Sequence, residues 1–197
     1  MTKTGATSAG LIYASTYTSA GWDHPTDVTD SLGPVGAAGS SPVAVLDGAG
    51  EAVVVWRQSD GNDVALHAIQ GSGSSWSAPV RLSPPGTDVV GSAGREVDVS
   101  LIADDHGNVI VAWAQEDLTT DCGGNPCSQI FLSEYRRGAW HHPEAPSDHV
   151  SPVGQMAFAP DLATDDDGNA LLAWSQNDGL PGCTEGSCAQ TFLSEYR

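Results

Sequence analysis

The sequence predicts an all-β fold, a β-propeller of four-stranded antiparallel blades with about three and a fraction blades in the chain. Three observations lead there. A Trp-x-Gln-x-Asp segment recurs at Trp56, Trp113 and Trp174, spaced 57 and 61 residues apart. A second aromatic segment ends at Trp22, Trp76 and Trp140, spaced 54 and 64 residues apart. Between apolar runs of the first segment stand Gly50, Gly107 and Gly168, where a hairpin tip needs a residue free to take positive φ.

Taking the elements in order, short strand-like runs at 42–46, 97–103 and 160–164 precede the three tips. Each tip reads Asp, two residues, Gly, then Glu or Asn, and leads into four mostly apolar residues and the Trp. These two runs form a first hairpin, strands A and B. The second hairpin, strands C and D, is clearest in IFLSEYRRGAW (130–140), which aligns without gaps to IYASTYTSAGW (12–22); VALHAIQGSGSSW (64–76) is a looser version. The chain therefore reads C-D over about 11–30, A-B-C-D over 41–90 and again over 96–152, then A-B-C over 158–197, one propeller segment spanning 1–197. FLSEYR, written at 131–136 and again at 192–197, is strand C.

Closed propellers usually have four to eight blades. An array of three and a fraction leaves an edge strand at each end, which invites pairing with another chain. The expectation is completion in trans, with the C-D segment of one copy finishing the last A-B hairpin of another. Two copies would then make a six-bladed ring, or a filament if the geometry does not close. A fragment of a longer propeller and an autonomous small propeller are the alternatives.

Composition narrows the partners. With 7 Lys and Arg against 25 Asp and Glu, the net charge of -18 repels phosphate backbones and anionic membrane surfaces, so neither nucleic-acid binding nor membrane insertion is expected. No apolar run reaches the length of a membrane span, and Met1-Thr2-Lys3-Thr4 does not open a signal peptide. Four cysteines form two pairs of equal spacing, Cys122/Cys127 and Cys183/Cys188, in equivalent places of neighbouring repeats. That placement favours two local disulfides over one four-cysteine zinc site, and points to a secreted, extracellular or cell-surface location.

Three groups of residues are candidate sites. The repeated Trp56, Gln58, Asp60; Trp113, Gln115, Asp117; and Trp174, Gln176, Asp178 each lie on one face of a strand. An aromatic ring beside an amide and a carboxylate suits sugar hydroxyls; equally, Gln and Asp can satisfy backbone groups and specify the repeat. The tip residues Asp104, Asp105, Asp165, Asp166 and Asp167 cluster oxygens that suit Ca²⁺, although Asp is also an ordinary turn residue; no other cofactor is expected. In the loop of His141, His142, Glu144, Asp148 and His149, His142 aligns with His24 as part of the repeat, beside a weaker transition-metal reading.

The pattern resembles secreted bacterial propellers of the broad sialidase-like, Asp-box group. It departs from the Asp-box itself, because Asp47, Asp104 and Asp165 stand nine residues before their Trp. The resemblance therefore implies the fold and no activity. A sialidase needs clustered Arg and a Tyr–Glu pair, whereas Glu134 and Tyr135 are adjacent on a strand and point to opposite faces. No Gly-x-Ser-x-Gly or His-Glu-x-x-His occurs, and the expectation is that the chain is not an enzyme. Self-assembly through strand completion is the function expected; multivalent, lectin-like carbohydrate binding is the alternative, and a sialidase-like glycosidase fragment a distant third.

Overall fold

The computed structural model describes residues 10–34, 36–59, 62–73, 75–89, 99–122, 126–165, 167–179 and 189–196. Within them the chain is all-β and antiparallel, with a single 3-10 turn at Val28–Asp30. The first sheet is a hairpin of β1 (Thr16–Thr18) and β2 (Gly21–Asp23). The second orders β3 (Gly39–Leu46), β4 (Ala52–Ser59), β5 (Val64–Ser72) and β6 (Ser75–Trp76), with β7 (Val80–Arg81) also on β5. The third runs β8 (Val99–Ala103), β9 (Val109–Asp121), β10 (Pro126–Arg136), β11 (Ala139–His141). The fourth holds β12 (Ala157–Thr164), β13 (Ala170–Asn177) and β14 (Ala189–Tyr196).

Alternate residues on each central strand point to opposite faces, and both faces are apolar because the sheets stack in chain order. Val53, Val55, Leu66 and Ala68 of the second sheet meet Val109, Val111, Trp113 and Phe131 of the third. The other face of the third, through Ala112, Ala114 and Ile130, meets Leu162, Leu172 and Trp174 of the fourth. Ile12, beside the first sheet, and Leu32 pack on Val54, Trp56 and Ile69. Each fully buried Val, Leu, Ile or Phe contributes about 1.5–3 kcal/mol by leaving water, so these seams are what hold one sheet to the next.

Local chemistry repeats with the sheets. In β3 and β12 the pairing slips by a bulge, between Ser40 and Val43 and between Phe158 and Asp161. The slip falls where Ser41 (φ 53°) and Ala159 (φ 52°), each just before a proline, take positive φ. The segment after each C-D hairpin returns to strand C by one hydrogen bond: Leu32 N donates to Ile12 O, Leu82 N to Leu66 O, and Val150 N to Ile130 O, each at 2.8 Å. Asp30 and Asp148 brace the first and third of these returns, each accepting two backbone N–H bonds. Residues 10–32 thus share a short hairpin and this return bond with the later sheets. Among the described residues they have no strands in the places that β8 and β9 occupy in the third. No helix among the described residues is long and apolar enough to cross a membrane.

Candidate functional site

Each Trp of the Trp-x-Gln-x-Asp repeat faces the preceding sheet and is buried, Trp56 and Trp113 fully and Trp174 at 5% exposure. Its indole Nε1 donates to the Gln two residues on: Trp56 to Gln58 at 3.0 Å, Trp113 to Gln115 at 2.8 Å, Trp174 to Gln176 at 3.2 Å. The amide nitrogens then reach back to the loop that closes the preceding sheet. Gln115 Nε2 donates to Thr87 O (3.3 Å) and to the Thr87 hydroxyl; Gln176 Nε2 donates to Pro152 O (2.6 Å). The ring stacks on the neighbouring strand: Trp56 on His67, Trp113 on Phe131 and Trp174 on Phe192 at centroid distances of 6.0, 5.9 and 5.7 Å.

These rings and amides therefore join one sheet to the one before it, and the expectation of a sugar platform is corrected for Trp56, Gln58, Trp113, Gln115, Trp174 and Gln176. Their burial leaves no face for a glycan. Asp117 is also fully buried, 3.9 Å from His149 Nε2. Asp178 is half-buried, and Asp60 lies outside the described residues.

The three hairpin tips are built alike. The leading Asp accepts two backbone N–H bonds with Oδ1: Asp47 from Ala49 and Glu51, Asp104 from His106 and Asn108, Asp165 from Asp167 and Asn169. Asn108 and Asn169 add side-chain bonds to Oδ2, at 2.7 and 2.8 Å. Partial burial disfavours the charge on Asp104, but the Asn108 amide and the N–H groups of Asn108 and His106 together outweigh it and hold the carboxyl below its usual range. At Asp165 the Asn169 side chain, then the Asn169 N–H, do the same. The Asp104 and Asp165 carboxylates are thus turned into their own turns. Among the described residues no three His, Cys, Asp or Glu side chains converge to hold a metal ion, Asp105 and Asp167 included; Asp166 lies outside them. Cys122 and Cys127 form a disulfide, while Cys183 and Cys188 lie outside the described residues.

What the sequence reading missed is an electrostatically loaded cleft of about 360 Å³ lined by Asp63, Arg81, Thr87, Asp88 and Glu116. Arg81 grips Asp63 with two bonds, at 3.0 and 2.8 Å. Burial, then the nearby Asp88 charge, raises the Glu116 carboxyl above its usual range. The cleft joins a loop of the second sheet to β9, and sequence spacing gives no sign of that meeting.

The two ends of the stack differ from its interior. Tyr13, Tyr17 and Trp22 are 40%, 68% and 62% exposed. Their equivalents in the third sheet, Phe131, Tyr135 and Trp140, pack into the seam with the second sheet. The Tyr17–Trp22 and Tyr135–Trp140 ring pairs are nearly superposable, at 5.3 and 5.5 Å with interplanar angles of 57° and 55°. At the opposite end Leu171 and Leu193 are 38% and 67% exposed. Their equivalents, Ile110 and Leu132, pack against the fourth sheet. Both exposed faces belong to types that the chain itself covers elsewhere.

No family model matches the chain, and no curated protein matches it. Among solved structures it is similar to an endo-arabinase from Bacteroides thetaiotaomicron VPI-5482, with a TM-score of 0.47 and 12% identity over 84% of this chain and 58% of that one. It is also similar to a protein of unknown function from Dyadobacter fermentans DSM 18053, with a TM-score of 0.43 and 13% identity over 78% of this chain and 53% of that one. The chain spans less than two thirds of either. This finding corrects the expectation that the chain is not an enzyme, because one of the similar structures is an enzyme. The exclusion of catalysis is dropped; at this similarity no reaction is assigned in its place.

Proposed function

We propose that the chain acts in self-assembly, as an extracellular segment of a secreted bacterial β-propeller of the sialidase-like kind, completed in trans. The fourth sheet of one chain supplies the first sheet of the next with the strands it lacks, β12 and β13 standing where β8 and β9 stand in the third sheet. Residues 11–18 of one chain and β14 of the other are then equivalents that compete for one edge of β13. The ring or filament that results depends on whether the accumulated rotation closes.

The observation that carries this reading is the pair of exposed faces at the two ends, Tyr13, Tyr17 and Trp22 at one and Leu171 of β13 at the other. Large aromatics this exposed and clustered mark an interaction surface. The interior seams supply the template, since faces of both types are already covered there by a neighbouring sheet. The Cys122–Cys127 disulfide supports an oxidising location outside the cytoplasm.

Light scattering across a concentration series tests it. The expected result is a species at a multiple of the 20.3 kDa chain mass, lost in a Tyr17→Ser/Trp22→Ser variant whose melting temperature is unchanged. A chain that stays monomeric at every concentration would overturn the reading.

A further inference from the structure

The hairpin tips form a ladder. A Cβ placed on Gly107, in the second tip, would lie 3.3 Å from Asp47 Oδ2 of the first. A Cβ on Gly168, in the third tip, would lie 3.2 Å from Asp104 Oδ2 of the second. Both separations are tighter than a real side chain normally accepts. Each tip thus presents a carboxylate that sits against the glycine of the following tip, and that glycine must be bare for two reasons. Its φ is positive, 79° at Gly107 and 80° at Gly168, and a side chain there would push against the carboxylate of the preceding tip.

Gly50 of the first tip has the same backbone, φ 81°, and the same closing bond, Gly50 N to Asp47 O at 2.9 Å. Yet a Cβ there meets nothing within 4 Å. At the other end Asp165 repeats the Asp47 and Asp104 turn, and among the described residues no later tip follows it. The ladder has a carboxylate with no glycine at one end and a glycine with no carboxylate at the other.

We propose that Asp165 of one chain seats against Gly50 of a second copy, continuing the tip-to-tip contact made twice within the chain. This rests on the assembly reading above and adds a register to it. When β12 and β13 complete the first sheet of another chain, the third tip becomes the neighbour of that chain's first tip. The occupant of the open space at Gly50 is therefore a second copy of this chain, and the contact is heterologous, one tip end on the other.

The test compares Gly50→Asn with Gly138→Asn. Asn tolerates positive φ better than most residues, and both glycines (φ 81° and 82°) have nothing within 4 Å of the added Cβ, so both variants keep the fold. Only the side chain at 50 enters the proposed contact. Light scattering is expected to show association weakened about tenfold or more in Gly50→Asn, and unchanged in Gly138→Asn, with matched melting temperatures. Hydrogen exchange of the wild-type chain gives an independent readout, with the amides of residues 49–51 gaining protection as concentration rises. Wild-type association with Gly50→Asn binding equally well, or with no added protection at 49–51, would overturn the register and leave the assembly reading standing. A wild-type chain that remains monomeric overturns both.

Discussion

Replacing Gln115 by Leu tests the central structural claim, that the repeated Gln is a tie between sheets. Gln115 is fully buried and serves two partners at once, accepting from Trp113 Nε1 and donating to Thr87 O and the Thr87 hydroxyl. Leu has nearly the same volume, so the cavity cost is small and the polar cost dominates. The substitution removes the partner of the buried indole N–H and of the Thr87 carbonyl. Each orphaned group costs about 1–3 kcal/mol, which gives a loss of about 2–6 kcal/mol for the pair. Thr87→Ala removes only the hydroxyl and keeps the carbonyl bond, so it is expected to cost about 1 kcal/mol. Urea unfolding followed by tryptophan fluorescence and by circular dichroism gives both values. A loss below about 0.5 kcal/mol for Gln115→Leu, the size of an ordinary surface change, would refute the reasoning.

Four further outcomes follow from the geometry. Reducing Cys122–Cys127, or changing both to Ser, should cost about 2 kcal/mol, because a cross-link over a separation of 5 residues closes a small loop; the melting temperature with and without reductant measures it. Arg137 and Gly138, between the paired Arg136 and Ala139, have φ of 53° and 82°, so Arg137→Asn should add about 1 kcal/mol and raise the melting temperature by about 2–4 °C. The folded-state carboxyls of Asp104 and Asp165 are held below 3.8, so the stability they supply is complete above that value and lost as pH falls through the folded values. Melting temperatures should be flat near neutrality and fall in acid, less so in Asp104→Asn and Asp165→Asn. Finally, chains of charge -18 repel one another, so association should strengthen as salt shortens the screening length to about 10 Å at 0.1 M; scattering at several ionic strengths shows the slope.

The all-β, antiparallel character could be read from the sequence because every cue was local. Tip glycines and apolar runs lie within a few residues of one another, as in Ala52, Val53, Val54 and Val55, which lead to Trp56. The partners of the Trp and Gln residues were out of reach. Gln115 bonds to Thr87 and Gln176 to Pro152, each on the loop of the preceding sheet, 28 and 24 residues back. Spacing put Trp and Gln on one face but said nothing of whether that face met a ligand or another sheet. The Glu116 cleft was hidden for the same reason, since Asp63, Asp88 and Glu116 share no motif. The carboxylate-to-glycine ladder needed coordinates too, because Asp47 and Gly107 belong to different hairpins.

The in-order stacking also bears on how such a chain could change over generations. In the described residues each sheet makes its apolar seams with the sheets just before and after it. Stability is then close to a sum of unit and nearest-neighbour terms, as in a one-dimensional lattice. Gain or loss of one whole repeat in frame would add or remove one seam of a kind already present and leave the others as they were. A gene of this kind can lengthen by duplication without redesigning its interior, with each new copy inheriting the Trp–Gln tie, the tip carboxylate and the glycine that receives it.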